Sequence, residues 1–466
     1  MCEGIAFELA GIDLGDQRLN ARSVSVIELL AADPEASINA ACGGWGDTLA
    51  AYRLFDNPSV EPDKILKPHL EKTRQRIQQH PVVLLIQDTT EFDFSRHAPQ
   101  GVGCLDADYR FGFYDHTYLA ITPDRLPLGV VGGEQFDRSP ESLGKAQQRK
   151  TLPIEQKESF RWLTGYRQAT QLASSCPTTQ IVSVADSESD IYDIFVEAQQ
   201  QAGGAEFLLR AKENRSTPER NPAAGPAVYC KVRDEVRNSE VRVRRTIDLP
   251  GTPKRKARQA ELEIRALRVT IRPPHARSHL PPVAYQVVLV EEVNGPQDGT
   301  AVSWLLISSL PIDSVEDILR VVDYYVARWM IEIYFRVLKT GCRVEKIQLE
   351  TLSRVKNCLA FYKIIAWRVL YLTYLNRECP SLPCTAVFAE SEWKSVWRVT
   401  TKKALPPKPP ALAEFMRLLA QLGGYNNRPS EPPPGPQVIW TGIRRMTDFA
   451  LAWIAFAANQ ETLVYK

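Results

Sequence analysis

The chain has 466 residues, 44% hydrophobic and 24% charged, with a formal net charge of +2 and nine cysteines. That length and balance exclude a disordered chain and a single small module, and imply two or three domains with sizeable buried cores. Scattered cysteines without a C-x-x-C pair argue against a disulfide framework or a zinc site. The lack of a signal-peptide pattern or an eighteen-residue apolar run leads to the expectation of a cytoplasmic protein with no membrane partner.

Residues 1 to about 70 read as short helices, with a turn at ACGGWGD and a polar helix at DKILKPHLEKTRQRIQQ. From Pro81 the pattern changes. VVLLIQD is a continuous apolar run ending in an acid, as expected of a strand covered on both faces. TYLAIT and LPLGVVGGEQF follow as two strands around the turn PDRLP. A helix is predicted from about Ile154 to Ala173, then the strand IVSVAD, a helix starting near Glu188 and the strand EFLLRAK. Strands followed by alternating helix and strand indicate an α/β layer fold with a mixed sheet.

Residues 215 to 300 break that rhythm with alternating stretches such as VRVRRTI, LEIRALRVTI and YQVVLVEEV, which read as antiparallel strands inserted into the α/β domain. Residues 241–280 hold eleven Arg or Lys against three acids. Such a segment suits a nucleic-acid-facing hairpin with its tip at PGTPKRKAR, or a solvated loop. After WLLISS comes one long predicted helix, then further helices separated by LPPKPP and PSEPPPGP, and a final amphipathic helix from about Val438.

The long helix, DYYVARWMIEIYFRVLKTG at residues 323–341, is apolar on most sides, yet Arg328, Glu332, Arg336 and Lys339 fall within one arc of about 80° at 100° per residue. The row fits a solvated stripe of i,i+4 pairs, or a carboxylate facing a cleft between cations that bind a polyanion. Asp88 and Asp186 each stand where a buried strand reaches the carboxyl edge of the sheet, the usual place for a site in an open α/β fold. Three such carboxylates suit Mg²⁺, with Mn²⁺ as a substitute. Two ions sharing them could activate water and stabilise the leaving oxygen of a phosphodiester. Glu188 and Asp190 are explained by the dipole of the helix they precede.

The spacing of Tyr325, Arg328, Glu332 and Lys339 resembles the Tyr-x2-Arg-x3-Glu-x6-Lys signature of cut-and-paste bacterial DDE transposases of the insertion-sequence-four group, which includes the transposon-five transposase. Asp88 in IQDTT and Asp186 in VADSESDIY fall where that family places its first two acids, and AYRLFDNPSV, EQKESFRWL, FLLRAKENR and VSWLLISSLP look like family blocks. The resemblance implies a ribonuclease-H-like mixed-sheet core over 71–370 with a β-rich insertion at 215–303. It also implies a helical end-binding domain over 1–70 and a helical, dimer-forming domain over 371–466. Asp88, Asp186 and Glu332 would be the catalytic, metal-holding triad with two ions per site. Arg328 and Lys339 would hold phosphates, Tyr325 would meet the terminal nucleotides and Arg336 would stand beside them. Trp304 would stack on a flipped base, although from the residues alone it reads first as a core strand residue. Arg210, Lys212 and Arg215 would line the DNA channel or be a solvated strand end. Arg18, Arg22 and Arg53 would give the net acidic N-terminal region its phosphate contacts. The implied activity is end cleavage, hairpin formation and joining to target DNA by a homodimer on double-stranded DNA at the nucleoid. A binding-only regulator and a same-fold nuclease without strand transfer are the alternatives.

Overall fold

The computed structural model describes residues 4–144, 152–201, 203–221, 223–225, 228–249 and 256–464. The N-terminal region forms α1 (Gln17–Ala32), α2 (Ile38–Cys42), α3 (Trp45–Phe55) and α4 (Pro62–Ile77). Side-chain oxygens of Asp16 and Ser37 cap α1 and α2 by accepting from the Arg18 and Ala40 amides. Gly43, at φ +67°, ends α2 in the left-handed region.

A single nine-stranded sheet follows. Its strands are β1 (Val82–Asp93), β2 (Gly112–Ile121), β3 (Pro127–Phe136), β4 (Gln180–Ala185), β5 (Glu206–Arg210), β8 (Val241–Leu249), β9 (Arg258–Ile271), β10 (Val283–Glu292) and β11 (Ser303–Ser308). The short strands β6 (Ser216–Arg220) and β7 (Tyr229–Lys231) pair apart from it. The spatial order is β3-β2-β1-β4-β5-β11-β10-β9-β8. β1, β4 and β5 run parallel and the remainder antiparallel. The antiparallel strands of the expected insertion therefore extend the sheet begun by β1 to β5. The join is β11 against β5, with Leu306 opposite Arg210.

Successive residues of each strand serve opposite faces. Leu84, Ile86, Val182 and Val184 enter one core, while Val83, Leu85, Ile181 and Ala185 enter the other. This double coverage is why VVLLI is apolar without interruption. The first core is closed by α1, α3, α8 (Val315–Ala327) and α9 (Met330–Arg336). The second is closed by α5 (Phe160–Ser175), α6 (Tyr192–Gln200) and the short α7 (Val232–Arg237). α5 begins six residues later than the expected Ile154, which lies in a short 3₁₀ turn, and α6 begins four residues after Glu188.

α10 (Leu352–Glu378) is long and apolar enough by length and composition to cross a bilayer, although Lys356, Lys363 and Arg368 interrupt it, and most of it is buried among the other elements. Its apolarity belongs to the core. α11 (Glu390–Thr401), α12 (Leu412–Leu422) and α13 (Pro436–Val464) complete the chain. Trp440 of α13 packs on Gly341 and donates its indole N–H to Glu35 at 2.6 Å, so the last helix touches both the N-terminal helices and the end of the segment that carries Glu332. Cys42, Cys104, Cys176, Cys342, Cys358 and Cys384 are free and buried, whereas Cys379 is exposed.

A buried polar cluster ties the N-terminal region to the sheet. His69 Nε2 accepts the Val130 amide at 3.0 Å, so its proton sits on Nδ1 and is donated to Glu8 at 2.5 Å. Arg76 adds a two-pronged contact to the same carboxylate and donates to the Leu128 carbonyl.

Candidate active site

Asp88 and Asp186 are brought together by strand pairing. β1 and β4 run parallel with Gln87 opposite Ala185, so the next residue on each strand is one of the two acids. β4 stops there because Asp186 turns its carboxylate onto the Glu188 amide at 2.8 Å, capping a 3₁₀ turn. Asp88 accepts its neighbour's amide, Thr89 N–H, at 2.7 Å.

Glu332 comes from the opposite side. The segment read as one helix is broken: α8 ends at Ala327, Arg328 and Trp329 form a turn, and α9 restarts at Met330 before widening into a π turn at Val337–Gly341. α9 packs on β1, which sets Glu332 over the strand ends. Arg328 donates to Asp88 and to Glu332, each at 3.0 Å.

The electrostatics follow from this packing. Burial pushes the Asp88 carboxyl up to about 7; Arg328 opposes the rise, and Asp186 and Glu332 add to it. Burial also raises Glu332, against Arg328 and with Asp186. For Arg328, burial pulls the pKa down, but Tyr325, Asp88, Glu332 and Asp186 together leave it raised. Three acids therefore sense one another around a single cation.

The chemistry of these oxygen donors fits a hard divalent ion, and their mutual repulsion is what such an ion would relieve. Among the described residues, however, no three His, Cys, Asp or Glu side chains are grouped closely enough to hold a metal. The guanidinium of Arg328 occupies the space between two of the three carboxylates.

The other expected residues divide. Tyr325 is buried, edge-on to the partly buried Trp304 with centroids 5.5 Å apart. Burial raises the Tyr325 phenol, with Arg328 and Arg210 opposing the rise, so Arg210 faces this corner. Arg336 and Lys212 are exposed, and Lys339 stands 3.8 Å from Glu345 and over the Phe92 ring. Arg215 is not a solvated strand end: its side chain is 8% exposed and pairs at 2.6 Å with Asp190, itself 2% exposed. Asp190 in turn accepts the Lys212 and Glu213 amides, so it organises this turn in addition to any dipole role.

In the basic segment, residues 250–255 of the expected hairpin tip lie outside the described residues. On β8, Arg244 pairs with Glu263 and Arg245 with Asp323. In the N-terminal region, Arg18 pairs with Asp16 at the surface. Trp329, 59% exposed beside Arg328, was missed by the sequence reading. Its signal was present, since at 100° per residue it falls about 40° from Tyr325, on the border of the charged arc.

Three family models match the chain: transposase DNA-binding over residues 1–60, transposase DDE domain over 165–367, and Tn5 transposase dimerisation domain over 364–459. Asp186 and Glu332 lie inside the DDE match and Asp88 lies before it. Among solved structures the chain is similar to the piggyBac transposase synaptic complex with hairpin DNA, at 8% identity and a TM-score of 0.33. The match covers 84% of this chain and spans 57% of the length of that one.

Proposed function

Because the chain belongs to the Tn5-like DDE transposases, we propose that it binds the double-stranded ends of a transposon as a homodimer, cuts them and joins them to target DNA. The observation that supports this most directly is the bridging of Asp88 and Glu332 by Arg328, with strand pairing setting Asp186 beside Asp88. A binding-only protein has no need of three mutually repelling acids at the carboxyl edge of a sheet.

In this reading water cleaves the phosphodiester at the transposon end and leaves a 3′ hydroxyl. That hydroxyl attacks the opposite strand to close a hairpin and release the flanking DNA. Water reopens the hairpin, and the 3′ end then joins target DNA. Mg²⁺ or Mn²⁺, two ions per site, would supply Lewis acidity and charge neutralisation at the attacking and leaving oxygens. Asp88, Asp186 and Glu332 are the residues that would hold them. Arg328, Arg336 and Lys339 would bind phosphates, Arg210 and Lys212 would border the path of the strand, and Trp304 with Tyr325 would receive an unstacked base. Residues 1–70 would grip the end and residues 371–466 would carry the dimer contact.

The test is incubation of the purified protein with Mn²⁺ and duplexes carrying the ends that flank its own coding sequence, scored on a denaturing gel. Nicks followed by hairpins are expected, and both should vanish in Asp88→Ala, Asp186→Ala and Glu332→Ala while end binding persists. Loss of a metal-holding carboxylate should cost about three decades in rate or more. Binding without any nick would favour a regulator, and nicks without hairpins or joining a simple nuclease.

A further inference from the structure

Behind the strand ends lies a buried row of polar side chains with no part in the chemistry above. Arg161 of α5 donates Nε–H to Thr89 Oγ1 at 3.2 Å. Thr89 Oγ1 and His116 Nδ1 are 2.8 Å apart, and His116 Nε2 lies 3.2 Å from Gln87 Oε1. Gln87 donates Nε2–H to Ser183 Oγ at 3.0 Å.

The donors fix the direction of every link. Gln87 uses its amide N–H on Ser183, so its carbonyl oxygen must accept, and His116 must carry its proton on Nε2. Nδ1 is then bare and accepts the Thr89 hydroxyl, whose oxygen accepts from Arg161. Burial, with Arg161 and Lys363 nearby, holds His116 well below its usual pKa and therefore neutral, as this pattern requires. The space is built for it: a Cβ on Gly165 would lie 2.1 Å from Gln87 Oε1, and the Trp162 ring stands edge-on to His116 at 4.5 Å.

The row flanks Asp88 directly and reaches the turn at Asp186 through Ser183 and Glu188. Gln87 and Thr89 flank Asp88. Ser183 of β4 lies three residues before Asp186, and Arg161 also reaches Glu188 at 3.4 Å, the residue whose amide donates to the Asp186 carboxylate. We infer that His116 is a positioning residue which, through Thr89, Gln87 and Arg161, fixes the Asp88 and Asp186 carboxylates relative to each other so that they can share a divalent cation. This rests on the reading of those acids as the metal-holding pair.

The experiment measures Mn²⁺ affinity of the full chain bound to its end duplex, by electron paramagnetic resonance of free Mn²⁺, together with nicking rate, duplex affinity and thermal melting. The variants are Thr89→Val, Thr89→Ser and His116→Phe, with Asp88→Asn as reference. Thr89→Val, nearly isosteric, should weaken Mn²⁺ binding by roughly ten- to hundredfold and slow nicking to match, with duplex affinity and melting close to wild type. Thr89→Ser, which keeps the hydroxyl, should restore both. His116→Phe should behave like Thr89→Val wherever it folds. Wild-type Mn²⁺ affinity in Thr89→Val, or failure of Thr89→Ser to restore it, would overturn the inference. Intact Mn²⁺ binding in Asp88→Asn would instead overturn the assignment of the metal-holding acids themselves.

Discussion

Asp88 and Glu332 share one guanidinium: Arg328 donates to the first through Nη1 and to the second through Nη2, each at 3.0 Å. In this state a cation already neutralises the acids, and it is a side chain. A divalent ion would have to displace it, and a DNA phosphate is a natural destination for the released guanidinium.

Arg328→Gln should therefore strengthen Mn²⁺ binding to the DNA-free protein, by about tenfold if the displaced contacts contribute roughly 1.4 kcal/mol. The same change should weaken end binding and lower its salt dependence by about one phosphate contact. Calorimetric Mn²⁺ titration without DNA checks the first part. An unaltered affinity would show that Arg328 does not compete for the site.

The edge-on pair of Trp304 and Tyr325 leads to a second expectation. Trp304→Ala should leave the first nick nearly intact and slow hairpin closure by about 1–3 kcal/mol of lost base stacking. A time course of both products beside a thermal melt decides the matter. Nick, hairpin and melting temperature falling together would return Trp304 to the core.

Acid should loosen the N-terminal attachment. Burial works to raise the Glu8 carboxyl, but the His69 hydrogen bond and the Arg76 contacts outweigh it and hold the pKa at about 2. A carboxylate lowered in this way stabilises the fold above its unfolded pKa near 4.5, and the contribution, on the order of 3 kcal/mol, is lost as pH falls from about 4.5 towards 2. His69, lowered by burial, acts in the same direction from about pH 6.5 downwards, because the unfolded chain takes up the proton first. Urea midpoints measured from pH 7 to 3 should fall throughout, and Glu8→Gln should flatten the lower part of the curve.

The ion pair between Lys363 of α10 and Asp115 of β2, 2.7 Å long with both side chains almost fully buried, should resist single substitution. Lys363→Met leaves a buried carboxylate that, among the described residues, keeps the Thr117 hydroxyl at 2.6 Å as its partner, and about 3–5 kcal/mol of stability should be lost. Adding Asp115→Leu removes the stranded charge and should recover most of it. Chemical denaturation of the single and double variants measures this directly.

Much of the α/β layer was legible because its physics is local. An apolar run ending in Asp88, another ending in Asp186, and period-two alternation in β8 and β9 each report burial along one strand. What escaped depends on distant partners. Nothing near Arg210 states that Leu306 will pair with it and join the insertion to the main sheet. Periodicity carried straight through Arg328 and Trp329, because no Gly or Pro marks the break there. Arg215 looked like any basic strand end until Asp190 closed on it. His116 was overlooked for the same reason: its partners Thr89 and Gln87 lie on the next strand.

β8 ends the nine-stranded sheet, and no strand among the described residues pairs beyond it. Such an edge offers its amides and carbonyls to any other extended chain. Arg242, Arg244 and Arg245 on that strand are exposed and place guanidinium groups where a second copy would dock. Arg244 and Arg245 are partly neutralised by Glu263 and Asp323, so the repulsion that would oppose fibrous self-association is weak and depends on its range. At 1 M salt that range shrinks to about 3 Å, so concentrated salt is the condition under which purified protein would turn cloudy first.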